Sequence, residues 1–263
     1  MSDQAATPPD HDESNSARSY GSYLALDELL SLQRPLSRPE HPDELLFIVV
    51  HQSSELWFKV ILHELETLVA RLGAADVLGA TFAVRRLNAL MRIVTDQLSA
   101  LDTLPPQRFA QFRGYLGSSS GSQSVQFRAL EAASGLRDPN FLQAISEHGE
   151  PSEAVRRWLD RPTLQALFEQ VLDAKGRTLE EVYSSPEPSE LLMLAEELLA
   201  YEQQFARWRF LHVQLVERII GPGTMGTGGT LGARYLARTV SQRFFPRLWE
   251  VRSKFFGSGQ RTG

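Results

Sequence analysis

Two histidines, His51 and His212, lie on apolar stripes of segments that are predicted to be long helices. Around His51, the sequence FIVVHQSSELWFKVILHELE repeats large apolar residues at three- and four-residue steps, with Phe47 one turn earlier. His212 follows Trp208 by one turn on a second stripe of this kind. Charging a buried imidazole is costly, so each ring needs a hydrogen bond, a metal or a ligand as its partner. A core histidine bonded to a backbone carbonyl is the alternative for each ring, but two such rings on separate helices favour one shared site.

The chain has no cysteine, which excludes thiolate metal sites, iron–sulfur clusters and a cysteine nucleophile. Imidazole is therefore the ligand to expect for a metal or for haem iron. A haem between two helices would take one histidine as its axial ligand and leave its other face open to oxygen or a substrate. Two other metal sites are disfavoured. No histidine has a glutamate three residues before it, as di-iron bundles require, and His63-Glu64 lacks the second histidine of a zinc protease helix.

Two further segments are rich in turn residues and carry side chains suited to binding a small molecule. QFRGYLGSSSGSQS places Arg113 before a Gly/Ser-rich turn, and arginine binds carboxylates through two N–H donors. IIGPGTMGTGGTLG follows the His212 segment, and Thr227 within it could donate a hydrogen bond as part of a lid. Its formal G-x-G-x-x-G does not indicate a dinucleotide site, because no strand is predicted before it. A surface arginine and a plain connecting loop are the alternative interpretations.

The elements that must position these residues are all predicted to be helical. Besides the helix around His51, the periodicity predicts long helices at about residues 76–102 and 189–220. No segment shows the period-two alternation of a β-strand. We therefore expect an all-α fold, a helical bundle with haem between its long helices.

Composition limits the organisation and the partners of the chain. With 263 residues and 42% apolar composition, it can bury one substantial core, which we expect in a single domain at residues 19–257 between tails at 1–18 and 258–263. A net charge of −5 argues against a nucleic-acid partner. No apolar run approaches the roughly 20 residues needed to span a bilayer, and the polar, acidic N-terminus is no signal peptide. We expect a cytoplasmic protein without a membrane partner.

Taken together, the motifs resemble those of the tryptophan 2,3-dioxygenase family of haem proteins. The matching segments run in order from Tyr20 to Arg252 and are YGSYLALDELLSLQ, HPDELLFIVVHQSSELWFKVILHELE, FRGYLGSSSGSQS, RWRFLHVQLVERIIG, GTGGTLG and FFPRLWEVR. The resemblance implies an all-α fold, haem b as cofactor, O2 as co-substrate and L-tryptophan or a close analogue as substrate. It also implies a homotetramer in which the N-terminal segment of one subunit reaches into the pocket of its neighbour.

The resemblance also implies roles for individual residues. His212 corresponds to the proximal ligand of the haem iron, and His51 to the distal, catalytic histidine that faces the indole nitrogen. Arg113 corresponds to the arginine that pairs with the substrate carboxylate, and Thr227 to the threonine that holds the ammonium and carboxylate end. The remaining implied contacts are those of the substrate with Phe47, Tyr20, Tyr23, Leu24 and Phe109, and those of the haem with Trp57, Ser120 and Gly121.

The chain departs from the family pattern near the predicted site. Val50 stands where the family usually has glutamine, Phe109 where it commonly has tyrosine, Ser118 where it has proline and Ser122 where it has phenylalanine. The glycine loop is one residue longer between His212 and Thr227 and lacks the usual lysine before GTGG. A serine at position 122 removes a large aromatic volume if that side chain lines the pocket.

The implied reaction inserts both atoms of O2 across the C2–C3 bond of the indole ring, giving N-formylkynurenine in tryptophan catabolism. The departures leave an alternative open: a haem-dependent monooxygenase that converts tryptophan or a β-substituted tryptophan to a 2-oxindole in natural-product biosynthesis. A non-catalytic haem sensor is a third hypothesis. Arg113 and Thr227 argue against the sensor, because a gas carrier has no need of an amino-acid clamp.

Overall fold

A computed structural model describes residues 19–146, 150–226 and 233–257. These residues form helices, turns and loops and contain no β-strand, so the predicted all-α fold is confirmed. The predicted tails lie outside the described residues. The α-helices are α1 Tyr20–Leu24, α2 Leu26–Leu30, α3 Glu44–Gly73, α4 Val77–Asp96, α5 Leu98–Leu101, α6 Pro106–Arg113, α7 Val125–Ser134, α8 Pro139–Ser146, α9 Glu153–Leu159, α10 Leu164–Ala174, α11 Leu179–Ser184, α12 Glu190–Ile220, α13 Ala233–Thr239 and α14 Pro246–Gly257.

The centre of the fold is a layer of three long helices in which α4 packs against both α3 and α12. Each presents an apolar stripe to its neighbours, and Leu65, Leu87 and Leu198 are completely buried representatives of the three stripes. Helix α7 packs on α3, and α13 packs on α12. This arrangement brings the two histidine-bearing helices, α3 and α12, to opposite sides of one interior.

Helix α12 begins and ends almost where the sequence predicts. The Ser189 side chain accepts a hydrogen bond from the Leu192 N–H and caps the first turn. Gly221 follows the last turn with φ of 86°, a backbone conformation that glycine adopts without strain. These two signals fix the length of the helix that carries His212.

The predicted helix at 76–102 is interrupted, and this prediction was wrong in detail. Gln97 separates α4 from α5, and its side chain bonds across to α3. Gln97 Nε2 donates to Ser54 Oγ at 2.7 Å, and Ser53 Oγ donates to Gln97 Oε1 at 2.9 Å. A glutamine has good helix propensity, so only its tertiary partners reveal the break. Helices α1 and α2 are likewise separate, because Ala25 between them adopts φ of 50°.

Among the described residues, one helix, α3, is long and apolar enough to cross a membrane by length and composition alone. Its inner face packs in the core through Phe58, Ile61 and Leu65. Its outer face keeps an exposed apolar stripe, formed by Leu45, Val49, Leu56 and Val60. The absence of a membrane partner therefore stays a prediction.

Candidate functional site

Two adjoining cavities lie between α3 and α12, each of about 880 Å³ including the space at its opening. Both cavities are lined mainly by apolar surface with polar side chains among it, as small-molecule and cofactor sites are. Seven residues line both cavities, which makes them two lobes of one cleft: His51, Leu101, Gly121, Ser122, His212, Leu215 and Leu236. We call the part that contains Trp208 the Trp208 lobe and the part that contains Arg113 the Arg113 lobe.

His51 is held in one orientation on α3. Its Nδ1 lies 2.7 Å from the carbonyl oxygen of Phe47, and its ring lies 4.2 Å from the Phe47 ring. A carbonyl only accepts, so Nδ1 carries the proton and Nε2 is an acceptor. Burial lowers the pKa of His51, against the opposing effects of the Phe47 carbonyl and the Glu55 charge. The imidazole keeps accessible surface, and it lines both lobes of the cleft, where the surrounding side chains desolvate the ring.

His212 faces the same cleft from α12. Burial, and to a smaller extent the nearby His51, lowers its pKa from 6.5 to about 4. No hydrogen bond joins either ring nitrogen to another residue of the described ranges, and the Trp208 ring lies 4.9 Å away. A neutral imidazole with a free nitrogen is the form that binds a metal.

The Trp208 lobe has N–H donors that fit a cofactor with carboxylate groups. Trp208 Nε1 and Arg209 Nε are buried, and neither has a hydrogen-bond partner in the described part of the chain. Arg128 and Arg209 both pair with Glu131, at 2.7 and 2.8 Å, so this group of three side chains keeps one net positive charge. An apolar cleft with a free imidazole nitrogen and such donors is suited to haem, whose propionate groups are carboxylates.

The Arg113 lobe joins aromatic rings to a cation. Phe47 and Phe109 line it with ring centroids 5.6 Å apart, and Arg113 lies at its edge. One Arg113 nitrogen, Nη2, donates to the Met225 carbonyl at 2.5 Å, which leaves other guanidinium N–H groups for a carboxylate. Thr227 lies outside the described residues, but its neighbour Gly226 lines this lobe.

The other predicted site residues divide into two groups. Ser120 lines the Arg113 lobe and Gly121 lines both lobes, so both belong to the cleft. Trp57 is partly buried against the core and is not among the described residues that line either lobe. Tyr20, Tyr23 and Leu24 are exposed on the surface of α1 and do not line this chain's own cleft as described.

The residues that differ from the family pattern lie in different parts of the structure. Ser122 lines both lobes, and Val50 is buried in the wall of the Trp208 lobe. Phe109 is buried and contributes a ring without a hydroxyl group. Ser118 is exposed, and its carbonyl accepts a hydrogen bond from Gln123. Positions 50, 109 and 122 therefore shape the cleft.

Sequence reasoning missed the charged group formed by Arg128, Glu131 and Arg209. One signal was present: Arg209 interrupts the apolar stripe of α12 directly after Trp208. A charge in such a stripe requires a buried partner, but the sequence does not say that the partner is Glu131 on α7. Leu101 and Leu236 carried no signal, because they are ordinary apolar residues on short helices.

The fold and the site define an all-helical protein with two neutral imidazoles facing one apolar cleft between its longest helices. The profile of tryptophan 2,3-dioxygenase matches residues 4–148 and 166–255 of the chain. The chain is 40% identical to a tryptophan 2,3-dioxygenase of Kineococcus radiotolerans over 268 residues, covering 90% of this chain and 91% of that protein. It is 41% identical to a tryptophan 2,3-dioxygenase of Caulobacter vibrioides over 259 residues, covering 89% and 97%. The chain belongs to the tryptophan 2,3-dioxygenase family.

Proposed function

We propose that this protein is a haem-dependent dioxygenase that inserts both atoms of O2 across the indole C2–C3 bond of L-tryptophan to give N-formylkynurenine. One observation carries the proposal beyond family membership. The acceptor nitrogen of His51, the imidazole of His212 and the guanidinium of Arg113 all line one cleft, together with the rings of Phe47 and Phe109. That set matches a flat aromatic amino acid with an N–H donor at one end and a carboxylate at the other.

The chain's own residues bind and orient the substrate. Arg113 receives the carboxylate, Thr227 receives the ammonium and carboxylate end, and Phe47 packs against the indole. His51 Nε2 accepts a hydrogen bond from the indole N–H. A role of His51 in positioning the substrate is therefore better supported than a role as general base. Holding the substrate in this orientation makes a bimolecular reaction step effectively unimolecular. When bound, haem would supply the iron chemistry with O2, and His212 would hold the haem iron.

The assignments of the remaining cofactor residues are parts of the same proposal. Ser120 and Gly121 line the cleft, which supports contacts with the haem. Trp57 has only the resemblance in its favour. The N–H groups at Trp208 Nε1 and Arg209 Nε, which have no partner among the described residues, are better supported as haem contacts than Trp57.

Turnover with isotopically labelled O2 tests the reaction. Incubation of the haem-loaded protein with L-tryptophan should give a ring-opened product that contains two labelled oxygen atoms. In a parallel incubation with an added two-electron reductant, a product with one labelled atom, the other atom leaving as water, would identify the 2-oxindole alternative. The small Ser122 side chain between the two lobes makes a β-substituted tryptophan worth testing as substrate. If no oxidised product forms and tryptophan does not change O2 binding, the protein is a sensor.

We also propose that the protein works in the cytoplasm as a homotetramer with exchanged N-terminal segments. Tyr20 and Tyr23 on α1 are 77% and 72% exposed, as expected for side chains that enter a neighbour's pocket. The apolar stripe on the outer face of α3 offers a surface for subunit contact. Light scattering of the purified protein measures its mass, and a monomer would contradict the proposal.

A further inference from the structure

Glu202 is a buried carboxylate on α12, with 1% of its surface exposed. In the described part of the chain, four N–H donors bond to it, and they belong to the segment that joins α13 to α14 or to α14 itself. Its Oε2 accepts from the backbone N–H groups of Phe244 and Phe245, at 2.5 and 2.8 Å. Its Oε1 accepts from Arg243 Nη1 at 3.1 Å and from Trp249 Nε1 at 2.5 Å. Burying a carboxylate is costly unless its oxygens are bonded in this way, so the group defines one fixed arrangement.

The same segment carries a wall of the cleft. Leu236 on α13 lines both lobes, and Thr239 at the end of α13 lines the Trp208 lobe. Helix α13 packs on α12, and its described hydrogen-bonded anchors lie after it in the chain, because residues 227–232 before it lie outside the described ranges. Gln242 Nε2 donates to Asp138 Oδ2 at 2.9 Å, and the next residue, Arg243, is the first of those that bond to Glu202. Other described ties of α14, such as Arg252 to Glu196 and Lys254 to Glu180, are exposed and further from the cleft.

We propose that Glu202 is a positioning residue that holds α13 as the wall of the cleft and thereby retains the cofactor. Glu202 is not among the described residues that line either lobe, so it acts through the residues at 243–249. This inference rests on the proposed function only in naming haem as the retained group. The anchoring of α13 by Glu202 can be measured separately.

The substitution Glu202→Gln tests the role with almost no change in size. An amide has one acceptor oxygen and one donor NH2 group, so in either orientation two of the four N–H donors face another donor. Haem loss from the loaded variant, measured by transfer to excess apomyoglobin, should then be at least about tenfold faster than from the unaltered protein. Hydrogen exchange should rise over residues 233–257 and stay unchanged in α3 and α4.

The matched control is Glu196→Gln, two turns earlier on α12, which loses an exposed bond to Arg252 of the same helix α14. It should lose haem at the unaltered rate. Trp249→Phe removes one of the four donors and keeps an aromatic ring, so it should show a smaller effect of the same kind if Glu202→Gln does not fold. Haem loss from Glu202→Gln within about twofold of the unaltered rate, or exchange that rises equally in α3 and α4, overturns the proposal. If the unaltered protein takes up no haem, the proposed function is contradicted instead. Hydrogen exchange over α13 in Glu202→Gln then still tests whether Glu202 anchors this helix.

Discussion

At the scale of single residues, His212 is the side chain on which the proposed cofactor site depends. His212→Ala removes the imidazole that faces the cleft, and we expect stable haem binding and the Soret absorbance to be lost. The exposed His63 on α3 offers a control, because His63→Ala should leave haem content unchanged. Circular dichroism checks that both variants keep their helices. Unchanged haem content in His212→Ala would show that the axial assignment is wrong.

Arg113 should affect substrate capture more than cofactor binding. In Arg113→Ala the carboxylate of tryptophan loses a charged hydrogen-bond partner, so we expect KM to rise roughly 10- to 100-fold with the haem spectrum unaltered. Arg108→Ala on the same helix breaks an exposed pair with Asp43 and serves as the control. Steady-state kinetics separates KM from kcat. A fall in kcat alone would contradict a clamp on the substrate carboxylate.

The buried state of His212 predicts a pH dependence of folding stability in the haem-free protein. Its folded pKa is about 4 and its unfolded value is 6.5, so the unfolded chain binds more protons between these pH values. Stability should therefore fall as pH drops from 6.5 toward 4, by up to about 3 kcal/mol for this residue. His212→Gln should flatten that part of the profile in urea unfolding, and His63→Gln should not. A variant that keeps the full slope would contradict this origin of the pH dependence.

At the scale of elements, the ion pair between Arg209 and Glu131 fixes α12 against α7. Both side chains are almost fully buried, and Arg128 is the second partner of Glu131. Arg209→Met leaves the carboxylate with one partner, and we expect a loss of about 3 kcal/mol in the free energy of unfolding. Arg207→Met changes an exposed arginine of the same helix and should cost little. Urea titration of both variants checks this, and equal midpoints would contradict it.

Some helix boundaries could be predicted from the sequence alone, and others could not. Helix α12 was predictable almost to the residue, because Ser189 caps it and Gly221 ends it through local chemistry. The break at Gln97 was not predictable, because it depends on bonds to Ser53 and Ser54 on another helix. The cleft shows the same division. Its histidines stand out as polar residues on apolar stripes, whereas Leu236 enters it only through the packing of distant segments.

At the scale of the whole molecule, the exposed apolar stripe of α3 and the exposed tyrosines of α1 make one joint prediction. Leu56 lies on the stripe with 51% of its surface exposed. Leu56→Asp places a charge in the proposed subunit contact, and symmetry repeats that charge in every equivalent contact. We expect the tetramer to dissociate, as measured by light scattering, while Leu142→Asp on α8 should leave it assembled.

Dissociation should also change substrate binding, because Tyr20 and Tyr23 would no longer reach a neighbour's pocket. We therefore expect the Leu56→Asp protein to retain haem, since none of its described cleft residues is altered. Its KM for tryptophan should rise at least tenfold, which corresponds to about 1.4 kcal/mol of lost binding free energy. Tyr20→Ser combined with Tyr23→Ser should raise KM similarly while the tetramer stays intact. This second variant separates the loss of the arm from the loss of assembly. A dissociated protein with an unaltered KM would show that each chain completes its own pocket.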